Sequence, residues 1–185
     1  MVMAIRPTVP AEWRIVASCQ PGSAAYNRNV CLSDLDGDVG IMLDDDIEGF
    51  YCGWAEQLLD PLEDPLVVMV SARLLRRDGQ PGETCSRCRD LVTPRVEIQP
   101  AQNCVLPTAA IAFRNLGLRF DEGYRGSGFE DSDWCFQYLA LDSRCKFIQS
   151  NECRLVHRNE MKSQRDNWAH NRSRFLQKWP GIPGQ

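Results

Sequence analysis

The sequence has no apolar run that approaches the about eighteen residues of a membrane-spanning helix, so we expect no transmembrane segment. Residues 1–7 also lack the hydrophobic core of a signal peptide, which argues against secretion. Internal repeats and low-complexity segments are absent as well. Together these absences predict a soluble protein of the cytoplasm.

Acidic residues outnumber basic ones in most of the chain. The whole sequence has 21 Lys and Arg against 25 Asp and Glu, and a net charge of −4. Residues 154–178 are the exception: they carry seven basic and two acidic residues, so this segment is +5 and the remainder is −9. An acidic body argues against nucleic acid as the main partner. The basic segment instead fits a lid over an anionic small molecule, or a weak peripheral contact with an anionic membrane surface.

Nine cysteines make the sequence rich in thiols, but few of them have the spacing of metal ligands. Cys85 and Cys88 form a C-x-x-C motif and Cys104 follows, which is half of a zinc site. No second C-x-x-C motif and no nearby histidine complete four ligands. Reduced thiols are therefore favoured, with a structural zinc as the alternative.

The spacing of apolar residues predicts alternating strands and helices in one domain that covers residues 1–185. A chain of this length, with 43% apolar residues, can bury one core. Strand-like runs fall at residues 14–19, 39–43, 66–75, 105–113 and 145–149, and helical periodicity falls at residues 49–59, 133–141 and 163–179. Such alternation is typical of an α/β fold with a mostly parallel sheet flanked by helices. Residues 76–102 show no periodicity and predict a long surface loop.

Two acidic clusters interrupt this pattern: Asp44-Asp45-Asp46 follows the strand at residues 39–43, and Glu130-Asp131-Ser132-Asp133 opens a helix. Carboxylates directly after a buried strand are unfavourable unless a cation such as a divalent metal binds them. The second cluster offers a separate carboxylate that can act as a general base. The structural alternatives are an acidic turn or helix cap for the first cluster, and acids favoured by the helix dipole for the second.

Further motifs occur in a fixed order around these clusters. They are Asn27-Arg28-Asn29, Gly37-Asp38-Val39, Leu43-Asp44-Asp45-Asp46, Arg73 to Gly79, Ile111 to Asn115, Leu118 to Glu122, Glu130 to Cys135, and Phe175-Leu176-Gln177-Lys178-Trp179. This ordered series, which covers most of the chain, resembles the GT-A glycosyltransferases of the family-two, inverting type. The resemblance implies a compact GT-A-like fold that transfers a sugar from a nucleotide-diphosphate donor to a saccharide or other hydroxyl acceptor.

The resemblance also implies roles for the acidic residues. Asp46 would ligate Mn²⁺ or Mg²⁺, Asp44 would contact the nucleotide ribose or assist the metal, and His157 would complete the metal site. Asp131 would be the general base that deprotonates the acceptor hydroxyl, and Glu130 would hydrogen-bond the acceptor sugar. A carboxylate base opposite the leaving group gives a single displacement, and therefore inversion at the anomeric carbon.

The remaining expected site residues lie near the two clusters. Arg28 matches a basic position near the nucleotide, with Asn27 in the same segment. Trp134 is expected to lie half in the core and half against the acceptor, because aromatic faces stack on sugar rings.

One departure from the family keeps other functions open. Only 43 residues precede Asp44, so the nucleotide-binding part that the family has there is abbreviated. A non-catalytic sugar- or nucleotide-binding remnant of the fold is therefore the main alternative. A metal-dependent nucleotidyl- or phosphoryltransferase is the third, since paired acids with a metal also serve that chemistry.

Overall fold

Apolar and β-branched runs build a six-stranded sheet in the part of the chain that the structure, a computed structural model, describes: residues 2–82, 93–99, 106–158 and 164–181. The strands are β1 (Val39–Leu43), β2 (Ile47–Glu48), β3 (Val67–Leu75), β4 (Arg95–Ile98), β5 (Ala110–Arg114) and β6 (Lys146–His157). The helices are α1 (Val2–Ile5), α2 (Ala24–Ser33), α3 (Glu56–Leu59), α4 (Glu130–Leu141) and α5 (Gln164–Lys178), with 3₁₀ turns at Arg6–Thr8 and Asp60–Glu63. The fold is thus a mixed α/β arrangement with one open sheet flanked by helices.

Most strand pairs in this sheet are antiparallel, so the prediction of a mostly parallel sheet is wrong. The strands lie in the order β1-β5-β3-β6-β2, and β4 pairs with β6. Only β3 and β6 pair in parallel among these strands. Strands β1 and β3 do run in the same direction and are joined through a helical segment, but β5 inserts between them in the opposite direction. Alternating strands and helices indicate the class of fold, but not which strands become neighbours.

The strand directions bring four chain segments to one edge of the sheet. Because β1, β3 and β6 run in the same direction, their C-terminal ends lie at the same edge. The N-terminal end of β5 lies there too, since Ala110 pairs with Leu43. The residues that follow β1, precede β5 and end β6 therefore converge at this edge.

Both faces of the central strands are buried. On β5, Ile111 and Phe113 belong to one core, and Ala110 and Ala112 belong to the other. The first core receives residues of α2 and α4, and the second receives α1, α3 and the 3₁₀ turn at Asp60–Glu63. This double burial explains why β3 is buried along almost its whole length rather than at alternate positions.

Helix α5 is fastened to α4 by an aromatic cluster and a buried carboxylate. Phe175 is fully buried and packs against Phe129 and Phe136, with ring centroids 5.5 Å apart in both pairs. The Asp133 carboxylate, also fully buried, accepts hydrogen bonds from Lys178 Nζ at 2.9 Å and Trp179 Nε1 at 2.8 Å. The C-terminal helix is therefore an integral part of the layer that supports α4.

Several predicted elements differ from the observed ones. Residues 14–19 form no strand, and only Glu56–Leu59 of the predicted helix at residues 49–59 is α-helical, after a series of turns. Strand β4 lies within the predicted loop at residues 76–102. The candidate zinc ligands Cys85, Cys88 and Cys104 lie outside the described residues. No described helix is both long enough and apolar enough to cross a bilayer.

Candidate functional site

The first acidic cluster forms the turn between β1 and β2. The Asp44 amide donates to the Ala109 carbonyl at 2.8 Å, and the Asp44 carbonyl accepts from the Ile47 amide at 3.3 Å. Ile47 then pairs with His157 at the end of β6. The turn is thereby folded back over the sheet edge, which places Asp46 against the last residue of β6.

Three side chains at this edge can hold a metal ion. One oxygen each from Asp44 and Asp46 and a ring nitrogen of His157 all lie within 4.8 Å of one another. His157 Nε2 lies 3.1 Å from Asp46 Oδ1, and His157 Nδ1 has no hydrogen-bond partner among the described residues. Carboxylate oxygens suit Mg²⁺ and Mn²⁺, and an imidazole nitrogen shifts the preference toward the transition metal. The structure thus brings together the three predicted ligands, and their donor set fits Mn²⁺.

The guanidinium of Arg28 connects this turn to the second acidic cluster. Its Nη2 lies 3.0 and 3.1 Å from the two oxygens of Asp44. Its Nη1 lies 3.2 Å from Glu130 and 2.9 Å from Asp131. Burial alone would lower the pKa of Arg28, but Asp131, Asp44 and Glu130 together raise it above its ordinary value. Arg28 is thus a buried counter-ion of the carboxylates rather than an exposed group beside a ligand.

Glu130 faces inward. Its side chain is 3% exposed, one oxygen pairs with Arg28, and the other accepts from the Gly128 amide. Burial and, after it, the charge of Asp131 raise the pKa of Glu130 to about 7, against the opposing effect of Arg28. These contacts hold the start of α4 in place. Direct contact between Glu130 and an acceptor stays a prediction.

The two carboxylate oxygens of Asp131 differ in their hydrogen bonds. Oδ1 accepts hydrogen bonds from Arg28 at 2.9 Å and from the Thr108 hydroxyl at 2.5 Å. Among the described residues, Oδ2 accepts only from the Thr108 amide, at a long 3.4 Å. The side chain is 27% exposed, so Oδ2 is the atom that can take a proton from an incoming hydroxyl.

The start of α4 is set by an unusual backbone conformation. Phe129 has φ of 72°, in the left-handed region that side chains other than glycine rarely adopt. The preceding loop is anchored by Asn171 of α5, whose amide donates to the carbonyls of Arg125 and Gly128 at 2.9 Å each. Such strain persists only where the surroundings enforce it, and it often marks functional sites. Here it aims Glu130 and Asp131 at Arg28.

Two predicted site residues have other roles in the structure. The Asn27 side chain accepts from Ser18 and Gln20 and donates to the Gln20 carbonyl, so its amide fastens the segment before α2. Trp134 has no exposed surface and packs against Phe113, Phe120 and Tyr138. The expected platform for an acceptor sugar is therefore a core residue.

The sequence analysis missed Thr108 and Phe120, both of which touch the charged cluster. Thr108 is fully buried just before β5 and binds Asp131, and the Phe120 ring lies 5.3 Å from the Arg28 guanidinium. Thr108 belongs to no motif, and Phe120 lies within the motif Leu118 to Glu122 without being of a residue type that indicates a charged site. Only the strand directions, which bring the start of β5 beside the end of β1, reveal Thr108.

Two basic residues of α5, Arg174 and Lys178, form ion pairs within the protein. Arg174 binds Asp121 at 2.7 Å, and Lys178 binds both Asp121 and Asp133. Burial would raise the pKa of Asp121, but Arg174, the Gly123 amide and Lys178 hold it below its ordinary value. Helix α5 is thus anchored rather than poised as a lid. Residues 159–163 lie outside the described part of the chain, so the predicted lid stays a prediction there.

Comparison of the sequence with protein-family models gave no match, and comparison with curated proteins gave none either. The interpretation of the site therefore rests on its geometry and its chemistry.

Proposed function

We propose that the protein is an inverting, metal-dependent glycosyltransferase that moves a sugar from a nucleotide-diphosphate donor to an acceptor hydroxyl. One observation supports this most strongly. The two acidic clusters meet at one edge of the sheet, where Arg28 contacts both Asp44 and Asp131. Asp44 also belongs to the group of three candidate metal ligands. A candidate cation site and a candidate base thus lie at the same edge of the sheet, and an inverting transfer uses both, on opposite faces of the sugar.

Each residue then has a task in a single displacement. A Mn²⁺ ion held by Asp46, His157 and Asp44 would neutralise the charge that develops on the departing diphosphate. Asp131 Oδ2 accepts the proton of the acceptor hydroxyl while the hydroxyl oxygen bonds to the anomeric carbon. The bond from that carbon to the diphosphate oxygen breaks on the opposite side, so the configuration inverts. Arg28 and Thr108 hold Asp131 Oδ1, which leaves Oδ2 directed at the acceptor.

One feature of the site also fits the main alternative, a non-catalytic sugar- or nucleotide-binding remnant of the fold. Arg28 neutralises carboxylates of both clusters, and such a network can stabilise a fold without any catalysis. A remnant of this kind would bind a nucleotide or sugar and leave it unchanged. A nucleotidyl- or phosphoryltransferase would instead cleave within the phosphate chain.

Product analysis separates the three functions. The protein is incubated with a panel of nucleotide sugars, Mn²⁺ and saccharide acceptors, and the products are identified by mass spectrometry. We expect nucleoside diphosphate together with glycosylated acceptor, and neither product from Asp46→Ala. The matched control is Asp45→Ala, because Asp45 lies in the same turn but is exposed and outside the metal group.

Thermal stabilisation by donor and Mn²⁺ without turnover would instead identify a binding remnant. Pyrophosphate or nucleoside monophosphate would identify phosphorus chemistry. This experiment does not address three other predictions: that nucleic acid is not a partner, that the basic segment makes a peripheral membrane contact, and that the protein is cytoplasmic.

A further inference from the structure

A single buried guanidinium sits between the candidate metal ligands and the candidate base. Arg28 is 9% exposed and comes from α2, a helix that contributes none of the carboxylates. Its two terminal nitrogens contact different acidic clusters. Nη2 binds both oxygens of Asp44, and Nη1 binds Glu130 and Asp131. Arg28 is therefore the physical link between the two halves of the site.

This guanidinium occupies the oxygens that a metal needs. Both oxygens of Asp44 accept hydrogen bonds from Arg28, at 3.0 and 3.1 Å. One of them is also the oxygen that Asp44 offers to the group with Asp46 and His157. A carboxylate has enough lone pairs for two partners, but a divalent cation and a guanidinium beside the same carboxylate repel each other.

The charge balance favours an added cation at the same time. One guanidinium faces three carboxylates, so it cannot compensate all of their negative charge even when Glu130 carries a proton. The ring of Phe120 covers the guanidinium at 5.3 Å, so little water reaches this face of the group. Without a metal, Arg28 is what holds Asp44 close to Glu130 and Asp131.

We propose that Arg28 is a positioning residue that stands in for the metal in the metal-free protein and competes with the divalent cation for Asp44. When the cation takes Asp44, Arg28 keeps its contacts with Glu130 and Asp131. The base thus stays in place while the metal site changes partner. This inference rests on the proposed metal-dependent function. It adds that the competing charge of Arg28 lowers the affinity of the site for the metal.

The competition predicts that removal of the Arg28 charge increases the affinity of the site for Mn²⁺. Arg28→Met removes the positive charge and should tighten Mn²⁺ binding roughly tenfold, because a like charge beside a divalent ion is worth at least that much. The same variant should melt at a lower temperature without metal and gain more stability from Mn²⁺ than the parent. Arg28→Lys keeps the charge, so its Mn²⁺ affinity should stay within about threefold of the parent, although one ammonium cannot span three carboxylates.

The test is a Mn²⁺ titration by calorimetry, with melting curves in chelator and in Mn²⁺, on the full chain without nucleotide. Arg144→Met is the matched control, since Arg144 is 74% exposed and pairs with Asp142 away from the site. Its Mn²⁺ affinity should equal that of the parent.

Weaker Mn²⁺ binding in both Arg28 variants would overturn the inference, because it would show that Arg28 only builds the metal site. If Arg28→Met does not fold in chelator, the competition predicts that Mn²⁺ restores folding, and failure to do so counts against it. A parent protein that binds no Mn²⁺ would refute the metal-dependent function itself, whereas weaker binding in the variants would leave that function standing.

Discussion

Asp131 and Asp133 are two residues apart, yet the Asp131 side chain is partly exposed and Asp133 is fully buried, and Asp133→Asn tests what the buried carboxylate contributes to stability. The Asp133 carboxylate has no exposed surface and accepts hydrogen bonds from Trp179 at 2.8 Å, Lys178 at 2.9 Å and Gln137 at 2.8 Å. An asparagine keeps one acceptor oxygen, but its amide group must then face one of these donors. The substitution therefore leaves a donor unsatisfied and removes the charge opposite Lys178.

The expected loss can be estimated from these contacts. A hydrogen bond to a charged group contributes about 1.5–3 kcal/mol, and an unsatisfied buried donor costs a similar amount. Lys178 is 36% exposed, so water screens its part of the interaction, and we count one such contribution rather than two. We expect a loss of about 2–3 kcal/mol of unfolding free energy, which corresponds to roughly 4–12 °C in melting temperature for a chain of this size.

Thermal and urea unfolding, followed by tryptophan fluorescence and circular dichroism, measure this loss. Asp142→Asn is the matched control: it is the same substitution at the end of the same helix, in an exposed pair with Arg144, and should leave the melting temperature nearly unchanged. If Asp133→Asn melts with the control, α5 does not anchor α4 through this carboxylate. A double-mutant cycle with Lys178→Met should also show coupling between the two residues.

The other predictions concern the site directly. Asp46→Ala and His157→Ala should each abolish the stabilisation that Mn²⁺ gives in a thermal-shift assay, and an unchanged shift in both would refute the metal site. Asp131→Asn should reduce transfer by a factor on the order of 10² to 10⁴ and change Mn²⁺ binding far less, since Asp131 is outside the group of candidate metal ligands although it pairs with Arg28; equal loss of both would argue against a base. The pKa of Glu130, raised to about 7 by burial and by Asp131, means that the folded state holds this proton more tightly than the unfolded state. The unfolding free energy of the metal-free protein should therefore fall as the pH rises from about 4.5 through about 7, and Glu130→Gln should flatten this fall in urea titrations at successive pH values. A parallel decline in the variant would show that Glu130 is not responsible.

Local patterns were enough to predict much of the secondary structure. Strand β1 has the predicted bounds, because a short apolar run between a Gly-Asp turn and three aspartates allows few other conformations. Helix α4 begins at Glu130 instead of the predicted Asp133, since the left-handed Phe129 lets the helix start one turn earlier. Strand β4 was not predicted, because half of its short sequence is charged and it is stabilised by pairing with β6.

The candidate site was predictable in its acidic residues but not in its connections. Carboxylates at the end of a strand point to a cation from sequence alone, and the structure does bring Asp44, Asp46 and His157 together. The role of Arg28 depends on contacts between residues about a hundred positions apart, which no local pattern contains. Trp134 was predicted to contact the acceptor because it is an aromatic residue beside acids, but it is fully buried and fills space in the core.

The anomeric configuration of the product tests the central proposal most directly. The reaction of an active nucleotide-sugar donor with Mn²⁺ and acceptor is followed by proton NMR, which distinguishes the two anomers of the new glycoside. A single displacement assisted by Asp131 predicts a product inverted relative to the donor, formed only with Mn²⁺ and lost in Asp131→Asn. A product with retained configuration, or transfer that persists at the parent rate in Asp131→Asn, would contradict the proposed mechanism.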